Sequence, residues 1–257
     1  MKTVILCGGM GTRLAEETSL RPKPMVEIGD KPILWHIMNS YSEHNFKDFV
    51  LALGFKGDYI KNYFINYYNL MNDFSVDLSS GKTEFKLSKP NIEDWHIDLV
   101  DTGQDSLTGG RLLRLKDYLK NEENFMLTYG DGLSNINISS LVDFHLSHGK
   151  IATVAAVRPP ARFGGMKISN SVVESFQEKP QSGEASINGG FFVFSTKIFD
   201  YLIDDLTVLE SSPMEKLVAD SELMAFEHDG FWQCMDTVRD RDYLRDLFES
   251  GSPPWKK

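Results

Sequence analysis

The residue types best suited to chemistry stand near the start of the chain. Gly8-Gly9-Met10-Gly11-Thr12-Arg13 follows the apolar run Thr3–Leu6, and Lys23 comes next in Arg21-Pro22-Lys23-Pro24-Met25. Backbone amides of residues without side chains approach phosphate oxygens closely, while an arginine and a proline-framed lysine add positive charge at fixed positions. This pattern points to a polyphosphate site. It is not a dinucleotide fingerprint, because alignment on Gly9 and Gly11 puts Leu14 where a third glycine is required. Nor is it a Walker-type phosphate loop, which needs a Gly-Lys-Ser/Thr that this loop lacks. A glycine loop alone is as often an ordinary tight turn; Arg13 and Lys23 tip the reading toward phosphate.

Two aspartates are candidates for hard-cation chemistry. Asp131 lies between two glycines just beyond the apolar Phe125–Thr128, at a strand's C-terminal end, where a carboxylate faces the crevice of an α/β sheet. Asp236 closes a second apolar stretch, Trp232–Met235. Mg²⁺ usually takes one or two carboxylates together with phosphate oxygens and waters. Either aspartate alone is more often a turn or cap residue, and Thr237-Val238-Arg239 makes Asp236 or Thr237 a candidate cap of the last helix. Glu178-Lys179-Pro180 sets a carboxylate beside an ammonium, a triplet that by itself is a common exposed turn. Arg111 and Arg162 read as surface or structural ion-pair residues at least as readily as ligand contacts. The six histidines do not group with metal spacing, and none is nominated as catalytic. Cys7 and Cys234, the only two cysteines, read as small buried fillers and supply neither a disulfide framework nor a cysteine zinc site.

The elements that must position these residues alternate along the chain. Thr3–Leu6 is a buried strand running into the glycine loop; Pro32–Glu43 is helical, with Ile33, Leu34, Ile37, Met38 and Tyr41 on one face and Pro32 in its first turn. Strand-like Phe49–Leu53, helical Tyr59–Tyr68, strand-like His96–Val100, helical Arg111–Leu119, strand-like Phe125–Thr128, helical Ile138–His148 and strand-like Ala152–Val157 follow. Phe74–Leu78 and Glu84–Leu87 read as an inserted hairpin around Ser79-Ser80-Gly81-Lys82. Beyond residue 158 strands crowd together, at Val172–Glu178, Gly189–Phe194 and Leu223–Phe226, before a closing helix, Arg239–Glu249. The pattern predicts an α/β fold with a mixed, mainly parallel sheet flanked by helices. No linker divides it, so 1–257 is expected to form a single domain.

At 257 residues the chain is long enough for a sizeable core, and its composition, 41% hydrophobic and 25% charged, is that of a globular protein rather than a disordered or fibrous one. The longest apolar runs, Phe49–Leu53 and Ile151–Val157, are far shorter than the roughly 20 residues that span a bilayer. Met1–Leu6 meets the glycine loop too soon to be a signal-peptide core, so the expected location is cytoplasmic, with no membrane partner. A formal charge of -10 argues against nonspecific nucleic-acid binding, so anionic ligands must meet locally placed cations.

With these residues in view, the chain resembles the sugar nucleotidyltransferases, whose signature is a Gly-Gly-x-Gly-Thr-Arg-Leu loop with a downstream Pro-Lys-Pro. The further motifs Tyr129-Gly130-Asp131-Gly132, Arg162-Phe163-Gly164, Phe176-Gln177-Glu178-Lys179-Pro180, Ile187-Asn188-Gly189-Gly190-Phe191-Phe192 and Phe231-Trp232-Gln233-Cys234-Met235-Asp236-Thr237 occur in the family's order over nearly the whole chain. They are similar to the cytidylyltransferase branch acting on glucose 1-phosphate. The resemblance implies a Rossmann-like fold with a smaller β-rich sugar-binding part, residues 1–157 serving mainly the nucleotide and 158–257 mainly the sugar and the second metal ligand. The implied reaction is Mg²⁺-dependent transfer of the cytidylyl group of CTP to glucose 1-phosphate, giving CDP-glucose and pyrophosphate. It further implies a homo-oligomer, for which the apolar-aromatic Tyr59–Met71 is the expected interface, and a product that feeds dideoxysugars of surface polysaccharide such as O-antigen.

Residue by residue, the resemblance gives catalytic roles to Arg13, at the pyrophosphate leaving group, and Lys23, at a nonbridging oxygen or the incoming phosphate. It assigns the nucleotide to Leu6, Gly8, Gly9, Gly11, Thr12, Arg13 and Asp131, the sugar phosphate to Gly164, Glu178, Lys179 and Asn188, and the metal to Asp131 and Asp236. Two polyanions must meet, and each pair of like unit charges at 4 Å is worth about 4 kcal/mol at an effective dielectric of 20, so several cations have to converge. Related pyrimidine-specific enzymes hold the base with a glutamine followed five residues later by a glycine, a spacing reproduced by Gln104 and Gly109. A glutamine amide pairs with cytosine or, flipped, with uracil, so base choice needs a fixed acceptor for cytosine N4. A backbone carbonyl near Gly8 or within 102–110 is expected to supply it. The alternatives are a uridylyl- or thymidylyltransferase, and a noncatalytic nucleotide-sugar sensor.

Overall fold

The computed structural model describes residues 1–86, 92–159, 165–169, 172–177 and 186–256, with the backbone alone for 165–169 and 172–177. In chain order the first half carries β1 (Thr3–Leu6), α1 (Ala15–Thr18), β2 (Glu27–Ile28), β3 (Lys31–Pro32), α2 (Ile33–Ser42), β4 (Asp48–Leu53), α3 (Gly57–Met71), the hairpin β5 (Asp73–Asp77) and β6 (Lys82–Lys86), β7 (His96–Asp101), α4 (Thr108–Arg114), α5 (Lys116–Leu119), β8 (Asn124–Tyr129), β9 (Gly132–Ser134), α6 (Ile138–His148) and β10 (Ala152–Val157). The second half adds β11 (Gly165–Ser169), β12 (Val172–Gln177), β13 (Ile187–Ser195), α7 (Ser212–Ala219), β14 (Leu223–His228), β15 (Trp232–Cys234) and α8 (Val238–Glu249).

Seven strands form the central sheet in the order β14-β10-β13-β8-β1-β4-β7. All neighbours run parallel except β13, which is antiparallel to both β10 and β8. The continuous apolar runs of the central strands have a direct cause: both faces of the sheet are covered. Ile5, Leu51, Met126 and Val193 pack with α2, α6 and α8, whereas Val4, Val50, Leu127 and Phe192 point the other way, against α4, α5 and α7. Successive residues of one strand therefore serve two separate cores, the period-2 consequence of the pleat.

One expected helix divides. Arg111–Leu119 is split at Leu115, whose dihedrals leave the helical region, and the first segment begins earlier, at Thr108. The break keeps Leu112, Leu115 and Leu119 all fully buried. The carboxyl ends of β1, β4, β7 and β8 lie along one edge, where those of β1, β7 and β8 deliver the glycine loop, the 102–110 loop and Asp131 to a common crevice.

Candidate active site

At that edge opens a cleft of about 660 Å³. It is lined by Leu6, Gly8, Gly9, Gly11, Thr12, Arg13, Lys23, Gln104, Asp131, Asn188 and Asp236, which brings together eleven of the residues nominated from the sequence. Gly164, Glu178, Lys179 and Arg162 lie outside the described residues. Gly109 stands behind the wall: its N–H donates to the Thr207 carbonyl at 2.9 Å, and a Cβ there would come within 2.8 Å of the Thr207 side chain. Leu107 and Thr108 face the cleft in its place.

The glycine loop owes its shape to local sterics. Gly11 has φ of 63°, in the left-handed region, and a Cβ on it would lie 2.8 Å from Thr18 and 3.3 Å from Lys23. Gly9 has open space around it. Lys23 begins a short 3₁₀ turn set by Pro22 and Pro24, which aims its side chain under the loop.

The charged centre is a three-residue bridge. Lys23 Nζ donates to Asp131 Oδ2 at 2.6 Å and to Asp236 Oδ1 at 2.7 Å, while Arg13 Nη1 donates to Asp236 Oδ2 at 2.8 Å. Burial works against the charge on Lys23, but the two carboxylates outweigh it and raise its pKa. Burial likewise tends to raise the pKa of Asp236, and the hydrogen bond and charge of Lys23, with Arg13 beyond, overcome it and hold the carboxyl below its ordinary value. Arg13 itself, though paired with Asp236, is largely exposed at the mouth.

The two aspartates meet because two three-residue strands pair. β15 runs antiparallel to β9 with Cys234 opposite Gly132, and the Met235 N–H continues the ladder by donating to the Asp131 carbonyl at 2.8 Å. Thr237, not Asp236, caps α8: its hydroxyl accepts from the Asp240 N–H, and the Asp240 carboxylate accepts from the Thr237 N–H. The Asp236 carboxylate is thereby left for the cleft. Two hard carboxylate oxygens converging on one ammonium form the kind of donor set that a divalent cation with phosphate oxygens would complete.

Arg111, for which the sequence left a ligand contact, an ion pair and a surface place open, lines the cleft and is buried, with no ion pair among the described residues. It is 5% exposed and donates to the carbonyls of Gly8, Leu53, Gly103 and Gln104 and to Thr102 Oγ1, with no carboxylate at ion-pair distance. This bears on one of the carbonyls expected to supply base selectivity. The Gly8 carbonyl already accepts from both Arg111 and the Phe55 N–H, which fills its two lone pairs. Those of Gly103, Gln104 and Leu107 each accept one hydrogen bond from Arg111, the last from its backbone N–H, and so are not saturated as that of Gly8 is.

Sequence reasoning missed the opposite wall. Tyr129 Oη donates to Glu210, whose other oxygen accepts from Thr108 Oγ1 at 2.6 Å, and the Thr108 hydroxyl in turn accepts from the Leu209 N–H. Asn188 Oδ1 accepts from the Gly190 N–H at 2.8 Å, which leaves its amide nitrogen turned toward Tyr129. Nothing in Leu209-Glu210-Ser211 marks Glu210 in advance. The surroundings of both thiols disfavour the thiolate: burial pushes Cys7 upward, and burial followed by the charges of Asp236 and Asp131 pushes Cys234 up to about 12.

A separate His/Asp group also escaped the spacing argument. Asp48, His96 and Asp98 meet at the amino ends of β4 and β7, the sheet edge away from the cleft, where Lys2 Nζ already donates to Asp98 at 2.9 Å. Among the described residues no helix is long and apolar enough to cross a membrane.

The nucleotidyl transferase family model matches residues 2–237. The chain is 52% identical over 256 residues to the glucose-1-phosphate cytidylyltransferases of Salmonella typhi and of Salmonella typhimurium, an alignment covering 100% of this chain and 99% of each relative. Its fold is similar to that of HddC from Yersinia pseudotuberculosis, with a TM-score of 0.69 at 23% identity over 96% of this chain and 99% of that one.

Proposed function

Because the chain belongs to the nucleotidyl transferase family, we propose that it transfers the cytidylyl group of CTP to glucose 1-phosphate, forming CDP-glucose and pyrophosphate. The observation that carries the transfer chemistry is the convergence of Lys23, Arg13, Asp131 and Asp236 beside the glycine loop. The choice of cytosine and glucose rests on the full-length identity to relatives of that name.

In this reading a phosphate oxygen of glucose 1-phosphate attacks the α-phosphorus of CTP in line. The new P–O bond forms as the bond to the departing pyrophosphate breaks. The sugar phosphate is already ionised, so no protein nucleophile is required, and positioning with charge stabilisation does the work. Arg13, permanently charged and forked, meets the leaving pyrophosphate, and Lys23, a compact point charge, meets a nonbridging phosphate oxygen. Leu6, Gly8, Gly9, Gly11 and Thr12 cradle the nucleotide, and Gln104, with Gly109 behind it, faces the base. Asn188, together with Gly164, Glu178 and Lys179, takes the sugar phosphate. Asp131 and Asp236 would hold Mg²⁺, which supplies charge neutralisation at the phosphates.

The division of labour follows the chain, with 1–157 serving mainly the nucleotide and 158–257 mainly the sugar and the second metal ligand. A homo-oligomer acting in the cytoplasm, with its product feeding surface polysaccharide, completes the proposal. The exposed apolar side chains of α3, including Ile65 and Leu70, favour that segment as the contact between copies. A matrix of CTP, UTP and dTTP against glucose 1-phosphate, with and without Mg²⁺, tests the reading through pyrophosphate release. CTP is expected to exceed UTP at least tenfold in kcat/KM, since a mismatched buried polar group costs about 1–3 kcal/mol. A better turnover of UTP or dTTP replaces the cytidylyl assignment with that of the preferred base. Binding without any release leaves a sensor.

A further inference from the structure

We infer that Arg111 is the positioning residue that locks the glycine loop to the 102–110 loop and thereby builds the nucleotide end of the cleft. The inference rests on the nucleotidyl-transfer reading for its kinetic consequence alone. Its structural basis is independent of any ligand.

Three segments meet at one guanidinium. Nη2 donates to the carbonyls of Gly8, beyond β1, and of Gln104, in the loop after β7, both at 3.0 Å. Nη1 donates to Gly103 O at 2.6 Å, Thr102 Oγ1 at 2.9 Å and Leu53 O, at the end of β4, at 3.1 Å. Backbone bonds join the strand ends only pairwise, Phe55 N–H to Gly8 O and Thr102 N–H to Leu53 O, and one side chain ties all three segments together. The planar fork is what permits this. A lysine ammonium has three donors on a single atom and cannot reach acceptors spread around two separate nitrogens.

Two glycines exist for this residue. A Cβ on Gly8 would stand 2.2 Å from the guanidinium carbon, and one on Gly54 would stand 2.4 Å from Nη1. The first glycine of the loop thus makes room for the clamp beneath it, while Gly9 and Gly11 keep the open approach and the left-handed turn. A buried cation with no carboxylate at ion-pair distance among the described residues is also unusual as a purely structural device, because carbonyl dipoles, a hydroxyl and the more distant Asp101 and Asp105 must offset its charge. It lines the cleft in which a triphosphate would lie.

The test uses the whole protein as Arg111→Lys and Gly54→Ala. Gly54 is off the cleft wall and has no left-handed backbone, so its alanine disturbs the clamp from behind. Amide hydrogen exchange of the ligand-free protein should accelerate at least tenfold in both 8–12 and 102–107, and not in α6 or α8. The KM for CTP should rise at least tenfold in both variants, with that for glucose 1-phosphate within twofold of wild type. Unchanged exchange in the two loops, or an equal rise of both KM values with a general fall in Tm, overturns the inference. If the wild type prefers another nucleotide, the cytidylyl reading fails, and the same split measured with that nucleotide still judges Arg111. If Arg111→Lys does not fold, Gly54→Ala decides alone.

Discussion

Asp131 and Asp236 share one cation: Lys23 Nζ lies 2.6 Å from an oxygen of the first and 2.7 Å from an oxygen of the second. The ammonium occupies the point where the two carboxylates converge, so a divalent ion entering there must displace it. In the proposed reading Lys23 would then be free to meet phosphate, and the binding of metal and of nucleotide would be coupled.

Lys23→Met should accordingly bind divalent cation more tightly in the absence of nucleotide. Titration with Mn²⁺, followed by electron paramagnetic resonance, is expected to show at least tenfold higher affinity than wild type, while turnover falls. Weaker Mn²⁺ binding by the variant would mean that the lysine holds the carboxylates in place for the metal rather than competing with it.

Asp131→Asn and Asp236→Asn should each keep the fold and lose turnover by about 10²- to 10³-fold, the usual penalty for deleting one electrostatic stabiliser. If both carboxylates act through one centre, as proposed, the double variant should lose far less than the product of the single losses. Wild-type-like activity of either variant at limiting Mg²⁺ removes that aspartate from the metal site.

Gly11→Ala should destabilise the loop by about 1–2 kcal/mol from the left-handed backbone alone. Its Cβ would also press on Thr18 and on the Lys23 stem. A lower denaturation midpoint together with a raised KM for CTP is expected. A variant that binds CTP as wild type does would show that the loop adjusts without moving Lys23.

A pH effect arises far from the cleft. His145 is buried between Thr153 Oγ1 at 2.9 Å and Asn124 Oδ1 at 3.1 Å, and burial, with the neighbouring His148, lowers its pKa to about 4. An unfolded histidine titrates near 6.5, so between about pH 6.5 and 4 the unfolded chain binds the extra proton. The contribution to stability is complete above that window and is lost as pH falls through it, with a slope approaching about 1.4 kcal/mol per pH unit for one proton. His148 and His36 are shifted in the same direction, so the comparison of wild type with His145→Gln isolates the term. Urea midpoints at pH 7.5 and 5 should converge between the two proteins on acidification; parallel midpoints would exclude His145 as a source.

The amino-acid sequence by itself determined whatever depends on near neighbours. β1 and its glycine loop, the Pro-Lys-Pro turn that presents Lys23, and the helices α2 and α6 are legible because steric preference and apolar periodicity act within a few residues. Only the tertiary structure decided how distant pieces meet. β9 and β15 have three residues each, too few for a period, yet their pairing sets Asp131 beside Asp236 and leaves Thr237 to cap α8. Arg111 reads as one more arginine on a helix until the ends of β1, β4 and β7 turn their carbonyls onto it. Glu210 is likewise ordinary until folding sets it between Tyr129 and Thr108. These partners lie scores of residues apart, and a hydrogen bond between them carries no local preference. Its strength depends on how the two sides of the sheet bury their side chains together.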